Sequence, residues 1–226
     1  MKKILIVCLL FGFYSSQAQT WRLNGYAMYA FDDKVDNYYS STSYFHTTIK
    51  GGLVWGAGLE YVVHNSNGVE LLYMRQDTKA PTNYYYNNGD RNGDFDIGIN
   101  WILLGFNRYQ RFENEKIEGF GGLGLGVAIF DITANDGRSQ SSTKFGWNLK
   151  LGVNIYASEK FAIKLQTGLM SAVQGVGGGL YFGTGGAGAG VSTYSSMLQF
   201  QVGGGIVVPF GGGTTTAPHQ QPRPGM

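Results

Sequence analysis

Lys144-Phe-Gly-Trp-Asn-Leu-Lys-Leu-Gly-Val-Asn-Ile-Tyr156 alternates without a fault. Phe145, Trp147, Leu149, Leu151, Val153 and Ile155 hold the odd positions, while the even ones carry Lys, Gly, Asn and Tyr. Successive side chains of a strand point to opposite faces, so this period of two gathers the aliphatic residues on one side. A helix would scatter them around its circumference. The length is equally informative. Globular strands usually run about five or six residues, whereas a strand crossing a bilayer at a tilt needs ~9–11. A long strand with one lipid-like face and one small, polar face is what a membrane barrel requires.

The pattern returns about eight times along the chain. One face of the first strand carries Trp21, Leu23, Ala27, Tyr29 and Phe31. The second carries Leu53, Trp55, Ala57, Leu59, Tyr61 and Val63, and the third Val69, Leu71 and Tyr73. Phe95, Ile97, Ile99, Trp101 and Leu103 mark the fourth, and Leu123, Leu125, Val127 and Ile129 the fifth. After the Lys144–Tyr156 strand come Phe161, Ile163, Leu165 and Leu169, then Leu198, Phe200, Val202, Ile206, Val208 and Phe210. No helical spacing of apolar residues appears after the first twenty positions. The expected fold is all-β: an eight-stranded antiparallel up-and-down transmembrane β-barrel.

The connections sort by length. Those around Asp33–Thr48, Asp77–Gly93, Ile132–Ser142 and Val173–Ser195 are long. Those around His64–Gly68, Phe112–Lys116 and Ala157–Lys160 are short and rich in turn residues. Long loops outside and tight turns in the periplasm are the organisation of an outer-membrane barrel. Aromatic residues collect at both strand ends, with Trp21, Tyr61 and Phe161 at the turn end and Tyr29, Phe31, Phe95 and Phe145 at the loop end, as in two interfacial girdles.

Composition agrees. The 226 residues include 36 Gly, 15 Tyr and 14 Phe, with only 14% charged. Residues 1–18 read as a secretory signal peptide, with Lys2 and Lys3, an apolar run over Ile4–Tyr14 and the small-x-small site Ser16-Gln17-Ala18. Cys8 lies inside it, so the mature chain has no disulfide framework. Removing Lys2 and Lys3 leaves 15 basic residues against 15 acidic ones, and nucleic acid is not an implied partner. The barrel is expected over residues 19–210. Residues 211–226 combine Gly-Gly-Gly, Thr-Thr-Thr and three prolines, so they are expected to form a flexible periplasmic tail.

The last strand carries a recognisable signature. Gly205-Ile-Val-Val-Pro-Phe210 follows a Gly-rich, alternating pattern ending in an aromatic, with Gly203, Gly205, Val208 and Phe210 at the matching positions. With the eight alternating segments, it resembles the small outer-membrane β-barrels of the OmpA/OmpX-like, porin-family type common in Bacteroidetes. The resemblance covers roughly Gln19–Phe210 and departs from the family where sixteen residues follow the aromatic. It implies the cell outer membrane as location, outer-membrane lipid as surroundings and insertion by the barrel assembly machinery. It implies no particular activity.

Few residues offer chemistry. Gly119-Phe-Gly-Gly-Leu-Gly124 matches a dinucleotide fingerprint by letter, but a strand follows where a pyrophosphate-binding helix is required. The alternating glycines fit a thinned inner barrel face instead. His46, His64 and His219 are far apart, so neither a metal site nor a cofactor is expected. Ser41, Ser43 and His46 are the sole candidates for an outer-membrane lipid hydrolase, with no carboxylate placed to activate them. The inner face is more specific: Arg22, Lys50, Glu60, Glu70, Asp96, Lys144, Lys150 and Lys164 are expected to point inward. An eight-stranded barrel is just wide enough for side chains to fill it, and opposite charges there would pair. That favours a polar plug over a conduit. Tyr38, Tyr39, Tyr84, Tyr85, Tyr86, Tyr181 and Phe182 crowd the long loops, where aromatic residues suit protein or glycan contact. The reading is a non-enzymatic outer-membrane barrel with a structural or surface-interaction role. The rivals are a subunit of an envelope secretion or uptake complex and a lipid-modifying enzyme.

Overall fold

The computed structural model describes residues 20–40, 43–63, 66–86, 89–112, 116–134, 137, 139–173, 179–183, 186–190 and 197–211. Every regular element among them is a strand. Eight strands make the wall: β1 (Thr20–Ala30), β4 (Gly52–Val63), β5 (Asn67–Tyr86), β6 (Gly89–Arg111), β7 (Ile117–Ala134), β8 (Ser139–Ser158), β9 (Phe161–Val173) and β12 (Met197–Phe210). Two hairpins belong to the loop end, β2 (Asp33–Ser40) with β3 (Ser43–Ile49) and β10 (Gly179–Gly183) with β11 (Gly186–Gly190). Residues 1–19 and 212–226, which hold the expected signal peptide and nearly all of the tail, lie outside the described residues.

Each wall strand runs antiparallel to its sequence neighbour in the wall, and β1 pairs with β12 to close the ring. Closure leaves no unpaired edge, the condition for exposing backbone to lipid. The register is staggered. From Thr20, successive partners are Val62, Gly68, Asn107, Gly122, Lys150, Gly168, Gln201 and then Ala30, ten residues further along β1. That shear tilts the strands and fixes a narrow interior that side chains alone can fill.

Cross-strand partners share a face, so one strand's orientation propagates around the ring. Outward positions form an apolar belt that includes Leu23, Leu53, Leu71, Leu125, Leu149, Leu151, Ile163 and Ile206, all more than 40% exposed. In water such a continuous apolar surface would aggregate, and in a bilayer it is the anchoring surface. Trp21 and Tyr61 stack at the turn end with centroids 5.0 Å apart. Phe31 meets Tyr29 and Phe200 at 5.4 and 5.6 Å at the loop end.

The structure corrects one strand. On β6 the expected lipid face, Phe95, Ile97, Ile99, Trp101 and Leu103, is buried in the lumen, and Ile102, Leu104 and Phe106 face outward. Both faces of β6 are apolar, so alternation cannot choose between them. Register does: Glu70 points inward and pairs with Gly105, which forces the odd positions of β6 inside. Two expected lumen charges move with this correction or with the loop geometry. Asp96 faces outward, its side chain 67% exposed and 3.5 Å from Lys79. Lys50 follows β3 at the loop rim, half exposed and 3.0 Å from Asp32. Phe95, for the same reason, belongs to the lumen and not to a girdle.

The connections also differ from a loop reading. β5 and β6 remain paired out to Tyr86 and Gly89, and β7 and β8 out to Thr133 and Ser139. Apolar alternation stops where the lipid ends, but backbone pairing does not. β3 pairs with β5 through Phe45 and Tyr84, so β2, β3, β5 and β6 continue the wall upward as a sheet. The short connections over residues 64–66, 112–116 and 159–160 fall at the opposite end.

Candidate functional site

The lumen is built from the inward positions of all eight wall strands, and it divides into two halves. Toward the turn end it is charged. Arg22 on β1 reaches across to Glu118 on β7 with two parallel hydrogen bonds, Nη1 to Oε2 at 2.9 Å and Nη2 to Oε1 at 3.1 Å. Asn154 and Tyr156 donate to the same carboxylate at 2.9 and 3.1 Å, and Arg111 Nε lies 3.6 Å from it. The guanidinium of Arg22 sits over the Tyr109 ring at 4.6 Å, which adds a cation–π contact.

One layer further in, Glu70 is the hub. It accepts from Asn24 Nδ2 at 2.8 Å, from the Tyr26 hydroxyl at 2.5 Å and from Asn107 Nδ2 at 3.2 Å, and it pairs with the Lys150 ammonium. Glu60 accepts from Asn107 at 2.6 Å, Tyr109 at 2.5 Å and Asn24 at 3.2 Å. Lys164 donates to the Tyr26 hydroxyl at 3.3 Å and lies over the Phe120 ring at 4.8 Å. Among the described residues the buried charges are three cations, Arg22, Lys150 and Lys164, against three carboxylates, Glu60, Glu70 and Glu118. The balance matters because an uncompensated charge in this space would cost several kcal/mol.

Toward the loop end the lumen is mainly apolar, with Gln76, Gln199 and Gln201 buried among the apolar side chains. Leu72, Met74, Ile99, Trp101, Leu103 and Phe130 are almost completely buried there and belong to one contiguous cluster. Lys144 is half buried at this level, 5.5 Å from the Phe130 ring centroid. Gln166 and Gln201 donate to the sulfurs of Met28 and Met170, both at 2.8 Å. The composition therefore changes from charged to apolar along the axis of the barrel.

The structure thus brings Arg22, Glu60, Glu70, Lys150 and Lys164 together in one region and leaves Lys50 and Asp96 outside it. Glu118, Asn24, Asn107 and the three tyrosines Tyr26, Tyr109 and Tyr156 complete it. A sequence signal for Glu118 exists: Leu123 and Leu125 face lipid, and counting back by parity puts Glu118 and Phe120 inside. The dinucleotide-like glycines lie within the single strand β7, where a Cβ at Gly122 would strike the Asn107 side chain. Gly122 and Gly124 leave room for the lumen side chains Asn107 and Asn148, while Gly119 and Gly121 lie on the outward face, near Phe112 and Leu151.

No family model matches the sequence, and no curated protein matches it. Solved structures do match. The chain is similar to the outer membrane protein OprG from Pseudomonas aeruginosa, with a TM-score of 0.55 and 14% identity over 87% of this chain and 98% of that one. It is also similar to Neisserial surface protein A, NspA, with a TM-score of 0.52 and 11% identity over 85% and 97%. The fold is that of the small outer-membrane barrels. With the lipid-facing belt and the closed wall, that fold places the chain in an outer membrane.

In an outer-membrane barrel the tight turns face the periplasm, which puts Phe210 at the periplasmic rim. Phe210 is 49% exposed and pairs in register with Trp21, while Val208 pairs with Leu23. Gly203 and Gly205 lie at the closing seam, where a Cβ on Gly205 would overlap the Gly25 carbonyl. Phe210→Ala is expected to lower the outer-membrane yield and the heat-modifiable fraction on gels. Deletion of residues 212–226 is expected to leave both at or above the parent level. A silent Phe210→Ala together with a deletion that abolishes folding would place the end of the barrel elsewhere.

The aromatic loop candidates Tyr38, Tyr39, Tyr84, Tyr85, Tyr86, Tyr181 and Phe182 have backbones in β2, β5 and β10, and their side chains lie outside the described residues. Ser43 and His46 likewise have only backbones described, in β3. Ser41, His64 and His219 lie outside the described residues altogether.

Proposed function

We propose that this chain is a non-catalytic outer-membrane barrel of the OmpA/OmpX-like, porin-family type that works through its surface. The wall is a rigid mount, and what it presents is the sheet β2-β3-β5-β6 above the lipid together with the β10–β11 hairpin. The observation that carries this reading is the filled lumen. A charge-balanced network at the periplasmic half and an apolar cluster at the outer half occupy the space a solute would need. A charged solute passing the outer half would lose its hydration against largely apolar walls, where the buried amides of Gln76, Gln199 and Gln201 replace little of it. Tyr38 and Tyr39 of β2 and Tyr84, Tyr85 and Tyr86 of β5 are the aromatic residues above the membrane that suit contact with a protein or a glycan. During biogenesis the partner is the barrel assembly machinery, which would read Gly203, Gly205, Val208 and Phe210.

Two measurements test it. The purified full chain in a planar bilayer is expected to show no sustained conductance, and stable solute permeation that depends on Lys144 or Lys164 would overturn the plug. An epitope inserted after Tyr86 is expected to be labelled on intact cells. Labelling only after the outer membrane is permeabilised would overturn the display role.

A further inference from the structure

A groove of about 400 Å³ opens on the outer wall of the barrel, away from the lumen, across β5, β6 and β7. Its construction follows from register. Moving up the wall by outward positions, the row Tyr73, Ile102, Val127 is apolar. Above it lie Arg75, Asn100 and Ile129, then Asp77, Gly98 and Asp131, then Lys79, Asp96 and Thr133. The surface changes from lipid-facing to charged within one row. On its β4 side the charged patch abuts Trp55, the register partner of Arg75, with Leu53 two residues further along β4, and both are exposed apolar residues of the belt. The groove therefore straddles the boundary between hydrocarbon and headgroups.

Gly98 is its floor. It carries no side chain between two strand neighbours that both carry carboxylates, Asp77 and Asp131, whose backbones stand ~10 Å apart across three strands. The walls are held in place before anything binds. Arg75 grips Asp77 with Nε at 3.1 Å and Nη2 at 2.6 Å and donates to Asn100 Oδ1 at 2.9 Å. Tyr73 donates to the same oxygen at 2.9 Å, and Asn100 Nδ2 donates to Asp131 at 3.1 Å. A pre-ordered set of donors and acceptors binds with less entropy loss than a mobile one.

We propose that this groove holds the saccharide headgroup of an outer-leaflet glycolipid, with the acyl chains of the same molecule lying on the apolar wall below. The chemistry selects that class. Arg75 and Lys79 stand among three carboxylates, Asp77, Asp96 and Asp131, so the groove calls for many hydroxyl donors beside a few anionic oxygens, and a phospholipid headgroup supplies few or no hydroxyls. A sugar offers hydroxyl donors to those carboxylates and hydroxyl or phosphate acceptors to Arg75 and Lys79. The groove opens sideways over Ile102 and Val127, which suits an amphiphile better than a free saccharide. The inference rests on the outer-membrane reading, which bilayer insertion and heat-modifiability test separately.

Gly98→Val is the decisive variant. A Cβ there would lie 3.1 Å from Arg75 Nη2 and 3.5 Å from Asp77 Oδ1, so a side chain at this position occupies the dent and presses on the tip of Arg75. Valine is also favoured in strands. The full-length mature chain in detergent micelles is titrated with deep-rough lipopolysaccharide, phosphatidylglycerol or phosphatidylethanolamine and read by native mass spectrometry. The parent is expected to retain the lipopolysaccharide at least tenfold more strongly than either phospholipid. Gly98→Val and, independently, Asp131→Asn are expected to reduce that retention tenfold or more while remaining heat-modifiable. Equal retention of all three lipids, or parent-like retention by both variants, would overturn the proposal. Preference for phosphatidylethanolamine would overturn the glycolipid assignment in favour of a plain zwitterionic headgroup.

Discussion

Replacement of Glu70 by Leu is expected to destabilise the barrel by roughly 3–5 kcal/mol, the cost of removing one partner of a buried ion pair. Glu70 is fully buried, and its carboxylate is the common acceptor for Asn24, Tyr26, Asn107 and Lys150. Without it the Lys150 ammonium, itself 2% exposed, faces the lumen with its counter-charge gone. The double variant Glu70→Leu with Lys150→Met is expected to recover much of the loss, because two apolar side chains of similar volume leave no charge behind. Urea titration of the barrel refolded in lipid vesicles reads both values. A Glu70→Leu change below about 1 kcal/mol would mean that the lumen is wet enough to solvate the lysine.

Leu149→Lys addresses the other face of the same strand. Leu149 lies mid-belt on β8, between Leu123 of β7 and Leu169 of β9, and is 43% exposed toward lipid. A lysine there carries its charge near the middle of the hydrocarbon, where the penalty is about 2–4 kcal/mol. The neighbouring Lys150→Leu acts in the lumen alone, through the loss of the Glu70 pair, and leaves the belt unchanged. The two variants separate by environment: thicker bilayers should worsen Leu149→Lys by keeping the ammonium further from water and leave Lys150→Leu unaffected. Parent-like folding of Leu149→Lys in every lipid would reverse the assignment of faces.

Legibility in the sequence followed the lipid. Where one face had to be greasy and the other polar, as in Phe145–Ile155 or Leu53–Val63, alternation reported the orientation directly. Where the lumen itself is apolar, it did not. Phe95, Ile97, Ile99, Trp101 and Leu103 alternate as cleanly as any lipid-facing row, yet they pack inside, beside Met74, Phe130 and the other members of the lumen cluster. Above the belt the difficulty was different. Strand segments such as Asp77–Tyr86 carry no apolar rhythm because water lies on their outer side, although they remain fully paired with β6.

From sequence alone came the all-β class, the eight wall strands, the orientation of seven of them and the end at which the turns are short. Each is a local property, since a strand's two-residue period and a turn's glycines and asparagines are written in neighbouring positions. What the tertiary structure decided is everything that needs two distant strands at once. The ten-residue stagger set which face of β6 is inside. The same stagger placed Arg22 opposite Glu118 and Lys150 opposite Glu70, 96 and 80 positions apart in the chain. It also put Asp77 and Asp131 on either side of Gly98 on the outer wall. A period of two tells each strand which residues belong together; where both faces are apolar, as on β6, only ring closure, with one register satisfied on every strand pair, tells it which way to face.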